Sequence, residues 1–372
     1  MTDERIKKLA GNLVNYSLKL KKGEKILISS SGPDAEPLVN EVMKEVFKIG
    51  ALPFLQNENS RLNRTMLLNA SEELLDRMAK FDITRMKEMD AYLGIGSVEN
   101  SSENSDVTSD KMKMYMEKYI NPVHFQERIK NTKWTVMRFP TNSMAQQANT
   151  SLEAFEDFYF NVCNLNYSKM SKAMDGLVEL MNRTDRVRIT GKGTDLTFSI
   201  KDIPTIKCDG EKNIPDGEVY TAPVKDSVNG ILSYNAPSEY QGFTYENIIL
   251  TFEKGKIVKA VANNTKRINE VFNTDDGARY IGEFAIGVNP YIIKPMNNIL
   301  FDEKIMGSFH FTPGNCYDEA PNGNSSSIHW DLVCIQTEDF GGGEIWFDDI
   351  LIRKEGVFLL SELQSLNPEN LK

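Results

Sequence analysis

The sequence predicts an α/β protein: an N-terminal α/β domain with a mainly parallel sheet, followed by a strand-rich α+β C-terminal domain. Three observations carry this expectation. At 372 residues the chain is longer than one ordinary core serves. Helical and strand signals alternate through the first half, the pattern of a helix-covered parallel sheet. Past Thr184 the pattern changes to closely spaced hairpins. The expected domains are therefore 1–184 and 185–372.

Ile6, Leu9, Leu13 and Tyr16 recur at helical steps, and Gly23 ends the run. Lys25-Ile26-Leu27-Ile28-Ser29 reads as a strand. Ser31-Gly32-Pro33-Asp34 supplies turn and cap chemistry, and Leu38, Val42, Val46 and Ile49 form a helical stripe closed by Gly50. Strands are expected at 52–55, 91–95 and 134–139, the last stopped by Pro140. Helices are expected from Ser71 toward Met78, at 152–162 and at 169–181. In the second half, 187–190 and 196–200 flank Gly191 and Gly193 as a hairpin. A second hairpin joins 248–252 to 257–260. Further strands are expected at 230–234, 345–347 and 351–353, with a helix at 266–272. Gly94-Ile95-Gly96 lacks the third glycine of a dinucleotide fingerprint, so a strand end is the expected role.

Composition narrows the function classes. Hydrophobic residues make up 40% and charged residues 26%, the profile of a globular protein. The net charge of −10 repels phosphate backbones, so nucleic acid is not an expected partner. Cys163, Cys208, Cys316 and Cys334 show no CxxC pairing and read as free thiols in a reducing compartment. The opening Met1-Thr2-Asp3-Glu4-Arg5 lacks the apolar stretch of a signal peptide. No run approaches the roughly 18–20 apolar residues that span a bilayer. A cytoplasmic location with no membrane partner is the expectation.

The chemistry concentrates in the second half. Two of the three histidines, His310 and His329, lie within twenty residues of each other, while His124 stands alone behind Pro122. In an extended strand, His329 and Asp331 project to one side and Trp330 to the other. The run 332–335 continues as a strand. A histidine and a carboxylate on one face suit a zinc or cobalt ion. His310 follows a strand-like stretch, with Glu303 before it and Tyr317 after the Gly314 turn. Glu218 sits among apolar and aromatic neighbours at an expected strand end. Glu283 lies in Tyr280-Ile281-Gly282-Glu283-Phe284-Ala285-Ile286, where burial is costly unless the carboxylate is paired or bound to metal. Each glutamate taken singly reads as a solvated edge residue or a salt bridge.

The segments GEVYTAP (217–223), IGEFAIGVNP (281–290), FDEKIMGSFH (301–310) and SSSIHWDLV (325–333) resemble the aminopeptidase T family of metallopeptidases. VRITGKGTDLTFSI (187–200), YSLKLKKGEKILI (16–28) and AEPLVNEV (35–42) extend the resemblance over nearly the whole chain in order. The resemblance implies two divalent ions (zinc, cobalt or manganese) held by Glu218, Glu283, His310, His329 and Asp331. It also implies a homodimer acting on peptide substrates. Three carboxylates and a bridging hydroxide balance two dications. Glu283, between the other ligands in sequence and in an apolar run, is the expected bridge. Glu303 is the candidate general base or supporting acid, and Tyr317 the candidate oxyanion donor. The sequence departs from the family at Phe311-Thr312-Pro313-Gly314, where small apolar residues are usual, and at Asp349, where glycine is common. These departures bear on pocket shape and residue preference. The expected activity is hydrolysis of the N-terminal residue from peptides. The alternatives are another dinuclear hydrolase, such as a phosphoesterase, or a non-catalytic peptide- or metal-binding protein. No basic cluster beside the motifs favours phosphate.

Overall fold

The computed structural model describes residues 3–372; Met1 and Thr2, part of the N-terminal stretch considered above, lie outside the described residues. The chain forms two compact units. One comprises the residues up to Asn164 with Gly210–Ile214, and the other Leu165–Asp209 with Pro215–Lys372.

The first unit holds four parallel strands, β1 (Lys25–Ser31), β2 (Leu52–Glu58), β3 (Ala91–Gly96) and β4 (Lys133–Arg138). β1 is central, and its apolar Ile26, Leu27 and Ile28 are buried, as a strand covered on both faces requires. The helix Glu36–Lys48 buries Leu38, Val42 and Val46, the stripe legible in the sequence. The helix Glu72–Met86 starts where expected, with Ser71 accepting from the Leu74 amide, and runs eight residues past Met78. Gly94 and Gly96 are ladder residues opposite Val136 and Arg138.

The second unit opens with the helix Tyr167–Arg183, which buries Met170, Met174, Leu177 and Met181. A hairpin follows, β5 (Arg186–Gly191) and β6 (Thr194–Ser199), then β7 (Ile206–Cys208). The chain returns to the first unit's sheet for β8 (Asn213–Ile214), completing the order β2-β1-β3-β4-β8. Back in the second unit come β9 (Glu218–Thr221), β10 (Asn229–Ser233), β11 (Ser238–Tyr240), β12 (Phe243–Tyr245), β13 (Ile249–Glu253) and β14 (Lys256–Val261). After the helix Thr265–Phe272 lie β15 (Ile281–Gly287), β16 (Ser308–Pro313), β17 (Val333–Ile335), β18 (Gly343–Phe347), β19 (Ile350–Lys354) and β20 (Val357–Phe358). They make an eight-stranded antiparallel sheet, β14-β13-β10-β6-β5-β18-β19-β20, and a five-stranded one, β17-β16-β15-β9-β7, with β11 and β12 pairing apart. The expected fold class is therefore the observed one. The sequence-based boundary near 184 falls at the end of the helix Tyr167–Arg183, one helix later than the division of the compact units. That helix packs on β7 and β9 of the second unit, and the short link Asn164–Asn166 separates it from the helix Leu152–Cys163. The change in texture marks the switch of sheet type, whereas the core changes one helix earlier.

Alternation along β15 and β16 sorts side chains between two layers. Phe284, Phe309 and Phe311 point toward the eight-stranded sheet and are fully buried. Phe198 of β6 lies 5.0 Å from both Phe284 and Phe311 between ring centroids, and Phe252 of β13 lies 5.9 Å from Phe311. This aromatic layer fixes the five-stranded sheet, so the alternate residues Glu283, His310 and Thr312 fall on its other face. Phe311→Ala is expected to lower stability by about 3–5 kcal/mol, read as a fall in the urea midpoint. Phe47→Ala, at a side chain 60% exposed, should stay within about 0.5 kcal/mol.

Candidate metal centre

β9, β15 and β16 are neighbours, and their register brings chemistry together. Gly287 pairs with Glu218, Ala285 with His310, and Glu283 with Thr312. A bulge between Ile281 and Glu283 bends β15 at that point. Glu218, Glu283 and His310 are all buried. His310 Nε2 lies 3.3 Å from Glu283 Oε1 and 3.6 Å from Glu218 Oε2.

His329 and Asp331 arrive from a different kind of segment. The expected strand through 329–335 is confined to β17; His329 makes only an isolated bridge to Gly314. Pro313 ends β16 and has no amide to donate, so one ladder bond is missing opposite Trp330. The segment is nevertheless extended, with the Trp330 amide donating to the Pro313 carbonyl at 3.1 Å. Side-chain alternation survives. Trp330 packs against Tyr240, Tyr245 and Phe272 at centroid distances of 4.6, 4.8 and 5.8 Å, and its indole donates to Ser238. On the opposite side, His329 Nε2 lies 3.3 Å from Asp331 Oδ1 and 3.2 Å from Glu283 Oε2. All five residues singled out in the sequence thus converge, and each oxygen of Glu283 faces a different imidazole.

Backbone carbonyls orient both rings. His310 Nδ1 donates to the Glu303 carbonyl at 3.1 Å, and His329 Nδ1 to the Asn315 carbonyl at 2.8 Å. With Nδ1 carrying the proton, each Nε2 is free to present a lone pair to a metal, the usual arrangement for histidine ligands. Asn315 reaches its place because Gly282 has no side chain: a Cβ there would lie 2.1 Å from the Asn315 oxygen. The Thr312 hydroxyl donates to Asp331 Oδ1 at 2.8 Å.

The electrostatics agree with a cation site. Burial opposes charge on His310, yet Glu283 and Glu218 push its pKa up to about 10. Burial also opposes charge on His329, yet Asp331 and Glu283 push it up to about 12. Burial alone would raise Glu283, but the His310 and His329 imidazoles hold it below the usual carboxylate range. Burial similarly acts against ionised Asp331, and His329 outweighs it, lowering that pKa. Glu218 is driven well up by burial, with Lys304 the largest opposing influence. Among the described residues, Glu218 Oε2 and His329 Nε2 are buried without a hydrogen-bond partner. Glu283, His310 and Asp331 offer donor atoms within 4.8 Å of one another. Carboxylate and imidazole donors left unsatisfied in one buried cluster fit a divalent metal.

The remaining candidates border this cluster. Glu303 follows the short helix Ile299–Asp302, and its pKa is raised by burial, with Lys304 drawing it back and Asp331 adding to the rise. Its carboxylate is bonded to the Lys304 ammonium. The Tyr317 ring lies 4.7 Å from the His329 ring and 5.5 Å from Tyr220. His124 stays apart, its Nδ1 2.9 Å from an Arg128 guanidinium nitrogen. The four cysteines are free thiols. Sequence reasoning missed Lys304, fully buried beside the carboxylates. The available signal was slight: Lys304 follows Asp302 and Glu303 and precedes the apolar Ile305 and Met306.

Comparison with known proteins gives the family. The thermophilic metalloprotease (M29) family matches residues 2–356. Aminopeptidase PepS of Streptococcus thermophilus is 25% identical over 370 residues, covering 88% of this chain and 88% of its own. The solved structure of wild-type AmpT from Thermus thermophilus matches with a TM-score of 0.78 and 21% identity, over 96% of this chain and 99% of that one. The structure of 2,5-dihydroxypyridine dioxygenase from Pseudomonas putida KT2440 matches with a TM-score of 0.62 and 12% identity, over 96% of this chain and 98% of that one. Likenesses this distant show a shared fold, and the fold alone does not choose among chemistries. The family match does, because it spans nearly the whole chain and includes every segment that builds the cluster: the chain belongs to the M29 thermophilic metalloprotease family.

Proposed function

We propose that the chain is a metallo-aminopeptidase whose Glu218, Glu283, His310, His329 and Asp331 hold two divalent ions, with zinc, cobalt and manganese the candidates. The observation that carries the reading is the placing of Glu283, whose two oxygens face His310 and His329 separately. Glu218 and His310 would hold one ion and His329 and Asp331 the other, with Glu283 serving both. When bound, the ions would supply Lewis acidity to acidify a water and polarise the scissile carbonyl.

The chain's own residues supply the rest. Carbonyls at Glu303 and Asn315 hold both imidazoles in the ligand tautomer. The Thr312 hydroxyl fixes Asp331. Glu303 accepts the proton from the attacking water and returns it to the leaving amine, a role that suits a carboxyl whose pKa burial raises. Tyr317, whose ring lies tilted against that of His329, donates its hydroxyl to the oxyanion. Aminopeptidase PepS, similar to this chain over most of both lengths, is an aminopeptidase by name, which supports the same substrate class. A homodimer in the cytoplasm completes the proposal; among the described residues no helix is long and apolar enough to cross a membrane. Sedimentation at the monomer mass would remove the dimer from it.

Leucyl-p-nitroanilide should be cleaved after addition of Zn²⁺ or Co²⁺, and EDTA should abolish the rate. Glu283→Gln and His329→Ala should lose turnover by orders of magnitude with an unchanged circular dichroism spectrum. A wild-type rate in either variant would remove that residue from the centre. Metal uptake should also depend on pH in a fixed direction. With pKa values near 10 and 12, both imidazoles hold an extra proton at neutral pH when no metal is bound. Binding must expel these protons, so apparent affinity rises with pH and falls in acid. Calorimetry at pH 7 in buffers of different ionisation enthalpy should read release of about two protons or more as the centre fills. Zero release would contradict the assignment.

A further inference from the structure

We infer that Lys304 is a positioning residue whose ammonium attracts one oxygen of Glu218 and thereby commits the other to the metal centre. The inference rests on the two-ion reading above. Lys304 is wholly buried and lies between the helix Ile299–Asp302 and β16. Its ammonium bonds Glu303 Oε1 and lies 3.9 Å from Glu218 Oε1. Glu218 Oε2 is left buried and, among the described residues, without a hydrogen-bond partner, 3.6 Å from His310 Nε2. One carboxylate therefore faces a fixed cation on one side and the ligand cluster on the other.

The division matters because Glu218 has a competing place to turn. Cys208, Asp216 and Glu218 also offer donor atoms within 4.8 Å of one another. Asp216 and Glu218 both act electrostatically on the Lys304 ammonium, so that grouping already has a tethered positive charge beside it. An ammonium has three donors and no lone pair, so it neutralises carboxylates without joining a metal as a ligand. At short range in a poorly solvated interior, its repulsion of a further dication is strong. Lys304 thus discourages capture of an ion by Cys208 and Asp216 and leaves Glu218 facing His310.

The test is calorimetric titration of the metal-stripped full chain with Zn²⁺, comparing wild type, Lys304→Met, Glu218→Gln and the double variant. Wild type should take two equivalents. Lys304→Met should weaken one of them by about 10–100-fold, the range for a residue that orients a ligand, and leave the other unchanged. Glu218→Gln should weaken the same equivalent, and the double variant should be no worse than Glu218→Gln alone, because both changes act through one carboxylate. A purely structural lysine would give losses that add. If Lys304→Met does not fold, Lys304→Gln, which keeps a hydrogen-bond donor without the charge, gives the same comparison. Wild-type affinity for both ions in the lysine variant, or additive losses, would overturn the inference while leaving the two-ion reading intact. A wild-type chain that binds no zinc would remove that reading itself.

Discussion

A buried carboxylate must either meet positive charge or give up its ionisation. That constraint organises the second unit of this protein. Glu218 and Glu283 are buried and Asp331 is half-buried, with His310, His329 and Lys304 as the countercharges. The arrangement stays electrically lopsided in favour of the acids once Glu303 is counted. A cluster of this kind is stable only with help from bound cations or protons. The raised imidazole pKa values are the proton-bound version of the same demand.

Holding such a cluster in place takes a rigid floor. The aromatic layer of Phe198, Phe252, Phe284 and Phe311 supplies it on one face of the five-stranded sheet. On the opposite face the loops that carry Asn315, His329 and Lys304 meet the cluster. Because adjacent residues on β15 and β16 alternate between the two faces, packing energy on one side is converted into positional accuracy on the other. The shared fold with a dioxygenase shows that this scaffold does not choose the reaction. The side chains on the charged face do.

Much of this was legible in the sequence, and for identifiable reasons. Periodicity found β1, β3, the stripe of the helix Glu36–Lys48 and the hairpin of β5 and β6, because each is a local pattern bounded by glycine or a cap. The five ligand candidates came from the resemblance of four segments to a metallopeptidase family, since each glutamate taken singly reads as a solvated edge residue or a salt bridge. What stayed hidden depended on contacts distant along the chain. Nothing local says that Glu283 divides its oxygens between His310 and His329, or that Gly282 is bare so that Asn315 can approach. Lys304 was passed over because a lone lysine ordinarily points to solvent. The strand expected at His329 reduces to an isolated bridge with Gly314, although the side-chain alternation it implied is retained.

The return of the chain for β8 has a separate consequence. Asn213–Ile214 completes the first unit's sheet between β7 and β9, and Glu218 follows four residues later. No single cut therefore yields both halves whole: dividing at 164 or 184 leaves one fragment without its fifth strand and the other with an orphaned one. The two parts were not assembled as interchangeable cassettes, and a gene fusion or truncation that swaps one for a foreign module must carry this five-residue insertion with it.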